Sequence, residues 1–219
     1  MKTDHPHRRL FNARLLGLCA ASALAGRAHA GAYEDFFRAI ELDDAARLRE
    51  LLARGMDPNT LDPKGQHGLF LALRGGAAKA VQALLDHADT RIDSANTTGE
   101  TPLMMAALRA NVDAMRALIA RGAAVNRPGW TPLHYAASSP SAAPVKLLLE
   151  QGAAVDARSP NGNTPLMLAA RYGSEDSVAL LLAKGADRKL RNERNQTAAD
   201  TARLDGRESL ARKLESGGS

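Results

Sequence analysis

Cysteine is nearly absent from this chain: of 219 residues only Cys19 is one, and it falls within the first 30. Residues 31–219 therefore carry no thiol nucleophile, no cysteine-held zinc and no disulfide. Small domains in oxidising compartments commonly rely on disulfides. These 189 residues must be held by packing instead, and they are long enough to bury a sizeable core. Aromatic residues make up 4% of the chain, with a single Trp. Trp130 and Tyr172 do not form the interleaved aromatic and basic array that single-stranded nucleic acid requires. A charge surplus is also missing once the first 30 residues are set aside. That stretch holds Lys2, Arg8, Arg9, Arg14 and Arg27 against Asp4, so 24 of the 29 basic and 23 of the 24 acidic residues remain. A net charge near +1 is no footprint for nucleic acid, whose binding rests on counterion release by a basic surface. No apolar run reaches the roughly 20 residues of a membrane-spanning helix.

What the first 30 residues do contain is ordered. A basic leader (Lys2 to Arg14) precedes an apolar run from Leu15 to Ala25, and small residues follow at Ala28-His29-Ala30. This is the order of a cleaved signal peptide, with processing expected after Ala30 and export to the periplasm or the exterior. Arg8-Arg9-Leu10-Phe11 fits the centre of a twin-arginine signal. The general secretory route and the twin-arginine route both stay open. Cys19 follows the bulky Leu18 inside the apolar run, so it is read as discarded with the leader rather than lipidated.

The remainder is periodic. Thr101-Pro102-Leu103, Thr131-Pro132-Leu133 and Thr164-Pro165-Leu166 recur, with Thr197-Ala198-Ala199 in register, at spacings of 30, 33 and 33. A second series, Gly122-Ala123, Gly152-Ala153 and Gly185-Ala186, closes a Leu-rich run each time. The physical reading is one helical pair per period. Thr is an N-cap, and Pro at the next position has a suitable φ and no amide to leave unpaired. Small Ala pairs such as Ala106-Ala107 permit close stacking. The second helix places Val178, Leu181 and Leu182 on one side, and Gly ends it.

Gly129-Trp130-Thr131-Pro132-Leu133-His134-Tyr135-Ala136-Ala137 resembles the ankyrin-repeat motif almost letter for letter, and residues 162–170 nearly so. Several such units in register are specific for that family. The resemblance implies an all-α solenoid of helix-turn-helix repeats joined by β-hairpin-like loops. A signal peptide at 1–30 would precede an ankyrin-repeat domain at 31–214, followed by a tail at 215–219. Within the domain the expected units are an N-terminal cap at 31–60, repeats at 61–95, 96–126, 127–157 and 158–190, and a C-terminal cap at 191–214. Departures from the motif carry information. His67-Gly68 replaces Thr-Pro, and Gly75-Gly76 follow, so the repeat at 61–95 is expected to be the softest, losing about 1 kcal/mol for the cap alone. The loop at Asn126-Arg127-Pro128-Gly129 is three residues short, leaving a stubby finger. Pro144 falls in the first turn of a second helix, where it is tolerated.

Candidates for chemistry have simpler explanations. His134 is the fourth letter of its motif, and the resemblance implies that it ties neighbouring loops by hydrogen bonds. His67 and His87 lack a set of ligands at metal spacing. Asp43-Asp44 and Glu175-Asp176 sit where second helices begin, and there negative charge suits the helix dipole. No Ser stands in a G-x-S-x-G turn. The resemblance implies a non-enzymatic binding protein with no cofactor and no metal, monomeric when unbound. Its protein partner would contact the hairpin tips and the exposed side of the first helices. Carried over by motif, the partner-binding residues are Arg109, Trp130, Arg171 and Tyr172, supported by Leu108, Glu100 and Asn163. Arg109 and Arg171 are expected to offer fork-shaped donors to a carboxylate. The partner expected is a co-exported enzyme or toxin, which the protein would either support or inhibit. An envelope hydrolase and a host-directed effector are the alternatives.

Overall fold

A computed structural model describes residues 31–216, so the expectations for the leader, its cleavage site and the last three residues lie outside the described part. Twelve helices and no strand are found among the described residues; a single isolated bridge joins Leu61 and His67. They form six antiparallel pairs: α1 (31–41) with α2 (Ala45–Ala53), α3 (Gly68–Gly75) with α4 (Ala78–Asp86), α5 (Pro102–Leu108) with α6 (Val112–Ala120), α7 (Pro132–Ala137) with α8 (Ala143–Glu150), α9 (Pro165–Tyr172) with α10 (Glu175–Ala183) and α11 (Ala198–Leu204) with α12 (Glu208–Ser216). First helices stack on first helices from α3 to α11, and second helices on second helices from α2 to α10. The arrangement is the all-α solenoid the sequence leads one to expect.

The caps behave as their chemistry requires. Thr101, Thr164 and Thr197 each accept the amide of the residue three further on, and that residue's side chain accepts the cap's own amide in return. In two of these boxes the reciprocal acceptor is a methionine sulfur, Met104 or Met167, at 3.4 and 3.5 Å. Between the helix layers Leu103, Ala106, Ala107 and Leu118 are fully buried, the two alanines letting α5 lie close to its neighbours. The tightest approach is at Gly173, where a Cβ would stand 2.2 Å from the Ala137 carbonyl oxygen. Arg207 closes the same corner by donating to the carbonyls of Ala169, Ala170 and Gly173 at 2.9–3.0 Å. This satisfies acceptors left over at the end of α9.

The repeat at α3–α4 revises one expectation. His67 indeed supplies no side-chain cap to α3, yet Gly68 is not a weakness. A Cβ there would meet Phe36 and Ile40 at 2.9 Å, and Phe36 and Phe70 are both buried. A large aromatic from the first pair occupies the space that the Pro fills elsewhere. Asp43 is likewise more than a dipole partner. It sits at φ 53° and accepts the Ala80 amide at 2.8 Å, stitching the first pair to the second, while Asp44 caps α2.

Candidate partner-binding face

Each unit brings the same three register positions to its first-helix side: the residue before the cap, the fourth after it and the seventh after it. The first and third are at least partly exposed, whereas Met105, Leu168 and Thr201 at the second are buried. In order these read Gln66, Glu100, Trp130, Asn163, Gln196; then Leu71, Met105, Tyr135, Leu168, Thr201; then Arg74, Leu108, Ser138, Arg171, Leu204. The frame holds them in line, and their identities change freely.

His134 fixes the centre. It is fully buried, and its Nδ1 accepts from the Thr131 amide and hydroxyl at 3.1 and 2.8 Å. Nε2 therefore carries the proton and donates to the Asn163 carbonyl at 3.0 Å. Burial holds its pKa below the ordinary value, opposed by contacts with the Asn163 and Ala157 backbone. Trp130 stands edge-on to both His134 and Tyr135, at centroid distances of 5.4 and 6.3 Å. Tyr135 donates to Glu100 at 3.0 Å, and burial followed by the Glu100 charge raises the Tyr135 pKa. For Glu100 burial pushes the other way, but hydrogen bonds from Asn96, Thr98 and Tyr135 outweigh it and leave the carboxyl below its usual range. Glu100 is thus consumed inside the face. The short finger has no counterpart of the cross-finger bond that joins Asp62 to Gln66, Asn96 to Glu100, Ser159 to Asn163 and Asn192 to Gln196. Asn126 instead stitches forward, accepting the Ala154 amide and donating to the Gly152 carbonyl, both at 2.8 Å.

Of the residues singled out by motif, Trp130, Asn163, Arg171 and Tyr172 line one cavity of about 410 Å³. Leu168, Asn192, Arg194 and Gln196 share its wall. Tyr172 is 49% exposed, and the Arg171 guanidinium lies over its ring at 4.7 Å. Arg109 is elsewhere, in a hollow with Phe37, Leu71 and Arg74 at the other end of the face. Leu108 packs partly into the core. Both guanidinium groups also make contacts within the chain: Arg109 donates through Nη2 to the Arg74 carbonyl, and Arg171 donates through Nε to Asp205 at 3.2 Å, with its Nη donors left over. Both acceptors lie 34 or 35 residues away in sequence, which is why only the structure reveals them. Sequence reasoning also missed Asn192, Arg194 and Gln196, because the last unit departs from the motif. The Asn192-x-x-Asn195-Gln196 turn, in register with Asn96 to Glu100, was the available signal. Among the described residues no group of three or more His, Cys, Asp or Glu could hold a metal, and no helix is long and apolar enough to cross a membrane.

Comparison with known proteins agrees with this geometry. The family described as "Ankyrin repeats (3 copies)" matches residues 36–128 and 123–192. Human neurogenic locus notch homolog protein 4 is 39% identical over 75 residues, 34% of this chain and 4% of that protein. The putative ankyrin repeat protein FPV240 of fowlpox virus is 33% identical over 91 residues, 42% of this chain and 22% of that protein. The chain thus spans well under two thirds of both these relatives. Among solved structures, a chain from the complex of the predatory endopeptidase Bd0816 of Bdellovibrio bacteriovorus with immunity protein Bd3460 matches with a TM-score of 0.70 and 29% identity. That match covers 83% of this chain and 97% of the other.

Proposed function

The chain belongs to the ankyrin-repeat family, and from that premise we propose that it is a non-enzymatic, exported protein that binds a co-exported hydrolase through its first-helix face. Immunity-type inhibition is favoured over support of the partner by one observation. The solved chain it resembles along 97% of that chain's length comes from a complex of an endopeptidase with an immunity protein. The leader at residues 1–30 supports a periplasmic meeting place. The face itself supports binding rather than turnover: its one buried histidine is bonded on both nitrogens to structural partners, so it is not poised as a general base. Its exposed anchors, Tyr172 with the stacked Arg171, are of the types that dominate interface energetics.

The test is to recover the partner with the tagged protein from native periplasm, identify it, and titrate its hydrolytic activity with the pure protein. Stoichiometric loss of activity is expected. A rise in activity, or a partner that is not a hydrolase, contradicts the inhibitory reading.

A further inference from the structure

The cavity at the C-terminal end of the face has a one-sided hydrogen-bonding character that fixes what it accepts. The Asn192 Oδ1 accepts from the amides of Arg194 and Gln196, both at 3.0 Å. Its Nδ2 must then be the donor, and it donates to Asn163 Oδ1 at 2.8 Å and Gln196 Oε1 at 3.2 Å. Each of those two oxygens thus already accepts one bond within the wall, whereas the amide NH2 groups of Asn163 and Gln196 have no acceptor among the described residues. Asn161 repeats the pattern, its Oδ1 taken by the Ser159 hydroxyl at 2.6 Å. Each side-chain amide oxygen of the wall therefore already accepts from within the chain, while the side-chain N–H groups of Asn163 and Gln196 remain unpaired. Arg194 makes no ion pair among the described residues, and Arg171 uses only its Nε toward Asp205. The Trp130 indole N–H has no acceptor among them either. Arg188 Nη1 is the one buried side-chain polar atom without a partner among the described residues, so the Trp130, Asn163, Arg171 and Gln196 donors are open to solvent. The wall's two guanidinium groups face one lining carboxylate, Glu193, and Arg171 is also paired from behind with Asp205, so Arg194 carries the unpaired charge.

We infer that this cavity is a carboxylate-binding subsite that takes an Asp or Glu side chain carried on a continuous segment of the protein partner. This deepens the proposed function and rests on it. A wall of unpaired N–H donors with two guanidinium groups stabilises an acceptor-only, charged group, and charge-assisted hydrogen bonds are the strong ones. The wall runs from Trp130 to Thr201 and so crosses three successive units. A chain lying along it presents a side chain rather than its end.

Trp130 is the sole tryptophan, so its indole N–H gives one NMR resonance that reports on this cavity. The ¹⁵N-labelled protein is titrated with three probes: N-acetyl-glutamate α-amide, N-acetyl-glutamine α-amide and N-acetylglycine. The glutamate probe is expected to shift the Trp130 indole and the Asn163 and Gln196 side-chain amides saturably, binding about tenfold tighter than the glutamine probe, as charged hydrogen bonds do. Arg194→Ala should weaken that binding about tenfold and Arg116→Ala should leave it unchanged. Equal shifts from the glutamate and glutamine probes, or no effect of Arg194→Ala, overturn the inference. Tighter binding of N-acetylglycine also overturns it, by assigning the subsite to a chain end. If the probes fail while Trp130→Ala still abolishes binding of the isolated partner, the subsite is wrong and the proposed function stands.

Discussion

The α3–α4 and α9–α10 repeats share one template and solve it in opposite ways. In α9 the chain is held locally: Thr164 caps the helix, Pro165 starts it, and Gly173 lets its end meet α7. In α3 there is no side-chain cap and no Pro, and the helix is held from outside by Phe36 filling the space above Gly68. Their exposed surfaces differ just as much. The first presents Leu71 and Arg74 beside Phe37, an apolar hollow with a basic rim. The second presents Asn163, Arg171 and Tyr172, a wall of donors. The lesson is that a repeat frame tolerates exchange of its local supports provided neighbours compensate, since each unit contacts only the next. The register positions facing outward are free to be chosen for a partner.

The two repeats should differ most at Gly173 and Gly75. Gly173→Ala forces a methyl onto the Ala137 carbonyl and should cost roughly 3 kcal/mol, whereas Gly75→Ala, with nothing within 4 Å and an ordinary φ, should gain roughly 0.5–1 kcal/mol. Urea unfolding of both variants measures the contrast. Equal effects would show that the close packing at α9 is not the distinguishing feature.

His134→Ala comes next, with an expected loss of about 2 kcal/mol from the bonds to Thr131 and Asn163. The same residue sets a pH response. Its folded pKa is depressed by burial, so as pH falls below the ordinary value of about 6.5 the unfolded chain binds a proton that the folded one does not. Stability therefore declines as pH falls from that value toward the folded pKa, and is unaffected by His134 above it. The decline should be smaller in His134→Gln, measured as unfolding midpoints across pH 5 to 8.

The smallest effect is expected at the cap that α3 lacks. His67→Thr supplies the missing cap to α3 and should add about 0.5–1 kcal/mol. In the unaltered protein, amide exchange outside the termini should be fastest around residues 65–76 and slower across 160–185. The substitution should narrow that gap, and equal protection in the unaltered protein would remove the basis for calling α3 the softer helix.

How much of this was legible in the sequence follows from what is periodic. The helices and the Thr caps recur, so register alone placed them, and the linking role of His134 followed from the motif it resembles. Register also brought Trp130, Asn163, Arg171 and Tyr172 to one cavity. Hidden were the pairings that cross units without a repeated letter: Phe36 over Gly68, Arg109 on the Arg74 carbonyl, Arg171 on Asp205. The donor character of the cavity was hidden too, because an Asn or Gln has both a donor and an acceptor, and only the bond network decides which is left over.

The proposed function puts the partner on the first-helix face around this cavity. It is tested most directly by measuring partner affinity for Trp130→Ala and Tyr172→Ala beside Arg116→Ala, Lys146→Ala and Lys184→Ala on the outer helices, with circular dichroism to confirm that each folds. A loss of about 2 kcal/mol or more is expected for each of the first two, and little change for the other three. Loss confined to the outer-helix variants would contradict it.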